Sequence, residues 1–123
     1  MARIGLVTVL YKSDAVLPGF FRSIALQDHT DYILYLVDNS ESPETDRVIR
    51  DCMEQFPVTA FRHLPTGGNI GVAAGNNRGI EAALADGCSH VLLLNNDIEF
   101  DQPDAFRSLL QADAAGEALS FPK

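Results

Sequence analysis

The chain has 123 residues, 46% hydrophobic and 21% charged, which suits one domain burying about two-thirds of its unfolded surface. That aliphatic content, at a mean hydropathy of +0.02, excludes a disordered chain. Seventeen acidic residues against nine basic ones leave a net charge of −8, which excludes a basic nucleic-acid footprint and suits a site holding a divalent cation.

The first segment, residues 4–10, is a short aliphatic run of buried-strand type. The apolar stretch is short and lacks a small-residue cleavage site, so it reads as a strand and not a signal peptide. Asp14 is placed to cap a helix running to about Gln27, with Leu17, Phe20, Phe21, Ile24 and Ala25 at helical spacing. YILYLV, residues 32–37, predicts a second strand. Ser42 and Pro43 then open a helix whose apolar stripe is Val48, Ile49, Cys52, Met53 and Phe56. Residues 58–64 predict a third, weaker strand, followed by a glycine-rich loop at 65–71. A third helix is expected over 72–86 with Gly87 at its C-terminal end, then an aliphatic fourth strand at 91–94. A fourth helix is expected over 103–115, and Leu119 to Phe121 reads as the start of a fifth strand.

This alternation predicts an α/β domain with a mostly parallel sheet and helices on both faces. The stop at Lys123, in what reads as mid-element, suggests a truncated fold. Cys52 and Cys88 form neither a disulfide framework nor a zinc spacing, which predicts a reduced, cytoplasmic chain. No stretch approaches the roughly 18–20 apolar residues of a membrane span.

Parallel α/β sheets bind ligands at the carboxyl ends of their strands. The polar residues just past each predicted strand are therefore the candidates: Tyr11 to Asp14; Asp38, Asn39 and Ser40; Thr66, Gly67, Gly68 and Asn69; and Asn95, Asn96 and Asp97. Asn95-Asn96-Asp97 places a carboxylate and amide oxygens at a strand end, a donor set for Mg²⁺ or Mn²⁺, and seen alone it fits an ordinary Asn/Asp turn after a strand equally well. In NIGVAAGNNRGI, residues 69–80, Gly71 and Gly75 straddle a helix start and permit an anion to approach the backbone. The same glycines also fit a tight strand-to-helix turn with Gly75 packed on the sheet, but Asn69, Asn76 and Asn77 have no packing reason to be there. The segment is neither a dinucleotide fingerprint nor a Walker loop. His29, His63 and His90 are far apart in sequence and read as surface or core residues.

Together VTVLYKS, LVDNSES, NIGVAAGNNRGI and LLLNNDIEF resemble the inverting glycosyltransferases of family 2, which have the GT-A fold. The resemblance covers nearly the whole chain. The asparagine-rich segment and the NND form look most like bacterial rhamnosyltransferase-type members, which use dTDP-rhamnose.

The resemblance implies a single donor-nucleotide-binding domain over residues 1–123 that binds a UDP- or dTDP-sugar. Thr8 and Tyr11 would line the nucleobase pocket and Asp38 would contact the base. Asn69, Gly71 and Asn77 would lie near the nucleotide and sugar. Asn95-Asn96-Asp97 stands where the family has D-x-D. Asn95 replaces the first aspartate, so Asp97 would carry the Mg²⁺ or Mn²⁺ contact beside Asn95, with Asn96 among the donor-binding residues. The carboxylate that deprotonates the acceptor would lie beyond Lys123, leaving this chain alone inactive. The implied acceptor is a saccharide or lipid-linked saccharide of polysaccharide and cell-envelope synthesis, met at the inner face of a membrane. An uncovered sheet edge would favour a homo-oligomer. The alternatives are a truncated non-catalytic nucleotide-binding module and a sugar nucleotidyltransferase. The second lacks support because TVLYKSDA has no glycine where that class carries a Gly-rich loop.

Overall fold

The computed structural model describes residues 3–40, 42–97, 99 and 102–114, the last three of these by backbone alone. In chain order the elements are β1 (Ile4–Leu10), α1 (Leu17–Ala25), β2 (Tyr32–Asp38), α2 (Pro43–Gln55), β3 (Phe61–Pro65), α3 (Val72–Ala85), β4 (His90–Leu93) and α4 (Ala105–Ala114). Among the described residues the strands form one parallel sheet in the order β3-β2-β1-β4. The chain steps from β1 outward to β2 and β3, then crosses back to place β4 on the other side of β1. That reversal makes the carboxyl ends of β1 and β4 the expected ligand edge.

Alternation along the strands divides the core into two layers. Ile4, Leu6 and Leu10 of β1 with Leu34 and Leu36 of β2 pack against Leu17, Phe20, Phe21 and Ile24 of α1, Ile49 and Cys52 of α2, and Phe106 of α4. Val7, Tyr35 and Val37 face the other way, toward Ala83 of α3 and Cys88. Helices thus cover both faces, as the sequence predicts. Burial, with a smaller contribution from Asp51, pushes the Cys52 thiol up to about 11, so it stays protonated at neutral pH.

Helix α1 begins later than expected. Its first turn holds Pro18, which is preorganised for that position, and Asp14 does not cap it. Residues 14–16 form a separate turn, and the Asp14 carboxylate accepts a 2.7 Å bond from the Thr45 hydroxyl of α2. Ser42 does cap α2, accepting from the Thr45 amide at 3.1 Å. Strand β3 is shifted toward the C-terminus, because Val58 is drawn into the core and pairing with β2 starts only at Phe61 opposite Leu34. Helix α4 is docked by Gln27, whose side chain donates to the Gln102 carbonyl at 2.9 Å and accepts from the Phe106 amide at 3.1 Å. The expected fifth strand and residue 115 of the fourth helix lie outside the described residues. Among the described residues no helix is long and apolar enough to cross a membrane.

Helix α3 lies on the sheet through its glycines. A Cβ on Gly75 would meet Val9 Cγ2 at 2.9 Å, and one on Gly79 would clash with Val7 Cγ1 and meet Val37 Cγ2 at 3.2 Å. The far end of α3 is tied down by Asp86. Its Oδ2 accepts from the Tyr35 hydroxyl and from Arg62 Nη1, each at 2.7 Å. These bonds, Tyr35 first, hold the Asp86 carboxyl below its usual range. Burial, then the bond to Asp86, raises the Tyr35 phenol well above its usual value, so it remains the donor.

Two predictions follow from this seating of α3. Gly79→Ala overpacks the seam at a cost of about 1–3 kcal/mol, more than the roughly 0.5–1 kcal/mol alanine adds to helix stability. Its denaturation midpoint is therefore below wild type, and an equal or higher midpoint would refute the close seating. Asp86 has a depressed folded-state value, so its contribution is present at neutral pH and is lost as acid protonates it, below about pH 4. Thermal melts should show wild type losing more stability than Asp86→Asn over that acid range. Parallel pH curves would rule the network out.

Candidate functional site

At the carboxyl ends of β1 and β4 lies a cavity of about 470 Å³. Its lining includes Tyr11, Asn39, Asn69, Gly71, Asn76, Asn95, Asn96 and Asp97. The size falls within the usual range for small-ligand sites. Four segments distant in sequence supply it, because the parallel sheet brings all their strand ends to one edge.

Each wall has a local cause. After β1, Lys12 adopts φ +54°, a conformation a non-glycine residue rarely takes, and its amide donates to Ser40 Oγ at 3.1 Å. The Lys12 ammonium sits 5.3 Å from the centre of the half-exposed Tyr11 ring. After β2, Asn39 is buried and joins two segments. Its Nδ2 donates to the Gly71 carbonyl at 3.3 Å, while its Oδ1 accepts from the Thr66 hydroxyl at 2.7 Å. Gly71 caps α3 with φ +88°, which glycine reaches without strain. Its amide donates to Asn69 Oδ1 at 3.1 Å. The first turn of α3 has no side-chain cap and no acidic residue, so no side chain of that turn offsets the positive end that borders the cavity.

After β4, the Asn96 amide nitrogen donates to the Val9 carbonyl at 2.8 Å and to the Thr8 hydroxyl at 3.2 Å. Asn96 thus clamps the turn after β4 onto β1, holding Asn95 and Asp97 at the rim. Asp97 is exposed and Asn95 half-buried. One carboxylate and one amide oxygen are hard donors and match Mg²⁺ or Mn²⁺, which keep water and phosphate ligands besides a few protein oxygens.

Of the residues expected from sequence, the cavity brings together Tyr11, Asn69, Gly71, Asn95, Asn96 and Asp97. Thr8 is fully buried beneath it and serves as the acceptor for Asn96. Asn77 is exposed and lies off the cavity; its neighbour Asn76 lines it instead. Asp38 points to the opposite side of the sheet. Its Oδ1 accepts from the Ser40 amide at 2.8 Å, its Oδ2 lies 2.7 Å from His63 Nε2, and it lines a second cavity of about 440 Å³. Sequence reading left Asn39 and His63 without specific roles. The polar run after the second strand marked Asn39; nothing in the local sequence marked His63.

The family model for glycosyl transferase family 2 matches residues 6–121. The chain belongs to glycosyl transferase family 2. Its fold is the α/β fold of GT-A glycosyltransferases. One similar solved structure is the mannosyltransferase PcManGT from Pyrobaculum calidifontis in complex with GDP-Man and Mn²⁺, at TM-score 0.78 and 18% identity, covering 89% of this chain and 31% of that one. Another is S. aureus TarS 1–349, at TM-score 0.72 and 14% identity, covering 100% of this chain and 39% of that one. The family 2 chain therefore spans about a third of the length of these proteins. No curated relative matches it in sequence.

The clamp gives a direct prediction. Asn96→Ala leaves the Val9 carbonyl and the buried Thr8 hydroxyl without that donor, at a cost of about 1–3 kcal/mol. Chemical denaturation should report the loss, and an unchanged midpoint would remove Asn96 from this role.

Proposed function

We propose that this family 2 chain is the donor-binding part of a glycosyltransferase and holds a nucleotide-diphosphate sugar for transfer to a saccharide or lipid-linked saccharide acceptor. The observation that carries the reading is the convergence of Tyr11, Asn39, Asn69, Gly71, Asn76, Asn95 and Asp97 on one cavity at the carboxyl ends of β1 and β4. Family membership supports it, as does a structural relative solved with GDP-Man and Mn²⁺.

The residues divide by chemistry. The exposed Tyr11 ring offers a face on which a nucleobase stacks. Asn39 and Asn69 hold the glycine-rich loop, and the uncapped start of α3 offers amides to a diphosphate. Asp97 and Asn95 would hold a divalent cation, which offsets the diphosphate charge on the donor and on the departing nucleotide. A chain of net charge −8 binds such an anion poorly without a cation. With Asp38 turned away, base recognition falls to Tyr11 and the cavity lining. The rhamnosyltransferase-type motifs favour a dTDP-sugar, with UDP next, in a cytoplasmic setting.

Calorimetric titration with dTDP, UDP and GDP, with and without Mn²⁺, tests the reading. The expected result is metal-dependent binding of one nucleotide that weakens roughly tenfold or more in Asp97→Ala. No binding of any of the three by a folded chain would overturn it.

A further inference from the structure

The second cavity, on the α2 side of the sheet, contains a group that the donor site does not use. Asp38 at the end of β2, Asp46 in the first turn of α2 and His63 in β3 each present one ligand atom, and these atoms all lie within 4.8 Å of one another. His63 Nε2 is 2.7 Å from Asp38 Oδ2 and 4.0 Å from Asp46 Oδ1. Their exposures are graded: the Asp38 side chain is 1% exposed, His63 28% and Asp46 56%. The site therefore has a buried floor and an open mouth. Ser40 holds the other Asp38 oxygen through its amide, which orients the carboxylate as an outer partner orients a metal ligand.

We infer that Asp38, Asp46 and His63 form a binding site for a borderline divalent metal such as Zn²⁺. Three arguments favour this ion class. An imidazole with two carboxylates suits Zn²⁺, Co²⁺ or Ni²⁺, whereas Mg²⁺ prefers oxygen alone. Bonds of about 2.0–2.2 Å at tetrahedral angles set neighbouring ligand atoms about 3.3–3.6 Å apart. The observed 2.7 Å and 4.0 Å separations bracket that range and the third lies within 4.8 Å, so modest side-chain adjustments, on the order of 1 Å, complete the geometry. Three protein ligands beside a cavity also leave a fourth position to water. Arg50 lines the same cavity, and two carboxylates outweigh its single charge. A bound ion replaces the proton between His63 and Asp38 and joins β2, β3 and α2 through one centre.

The test uses untagged, chelator-stripped protein titrated with Zn²⁺ against a chromophoric chelator, with Co²⁺ absorption as a second probe. The expected result is one equivalent bound, a raised thermal midpoint, and affinity at least tenfold weaker in His63→Gln and in Asp46→Asn, while Asp97→Ala binds as wild type does. Asp46 is an exposed residue on a surface helix, so its variant carries the test if His63→Gln fails to fold. Absence of zinc binding in wild type overturns the inference. So does binding that the folded ligand variants leave unchanged, or that Asp97→Ala weakens equally.

Discussion

The closeness of α3 to the sheet is the constraint on which the rest depends. Gly75 and Gly79 remove two side chains from the helix face that meets Val9 and Val7, and the backbone settles into the space. A helix seated that low delivers its N-terminus to the carboxyl ends of β1 and β4. Were α3 held off by side chains, Gly71 and Asn76 would be lifted from the opposite wall of the cavity formed by Asn95 to Asp97. The glycines thus act at a distance from any ligand, by setting the width of the site.

The two cavities follow from strand alternation at the end of β2. Asp38 and Asn39 are adjacent, so their side chains leave on opposite faces of the sheet. Asn39 goes to the α3 side and ties the glycine-rich loop to the cavity at the ends of β1 and β4. Asp38 goes to the α2 side and meets His63 and Asp46. Hydrogen bonds of Asn39 and Asn96 tie the walls of the cavity at the ends of β1 and β4 to the surrounding strands and loops.

Much of the fold was legible in local pattern. Aliphatic runs four to seven residues long, alternating with amphipathic helices, specified the α/β class, and Ser42-Pro43 marked the start of α2 correctly. Misplaced boundaries arose where a tertiary contact outweighed a local signal. Asp14 has the chemistry of a cap but is drawn to Thr45, and Val58 has strand propensity but is drawn into the core. The glycines and asparagines of 69–80 were conspicuous in sequence, yet their division of labour was not. Asn76 and Asn77 differ by one helical step of about 100°, enough to put one on the cavity and the other in solvent.

The sequence by itself determined the layered architecture, the family, and the set of polar segments that gather at one sheet edge. Those properties are encoded in periodicity and in short motifs, which are local. Only the tertiary structure decided which side chains face which cavity. It paired His63 with Asp38 across 25 positions and set Asn96 beneath the rim as a clamp. Pairings of that kind depend on strand register and on the depth at which α3 sits, and both emerge only when distant segments pack together.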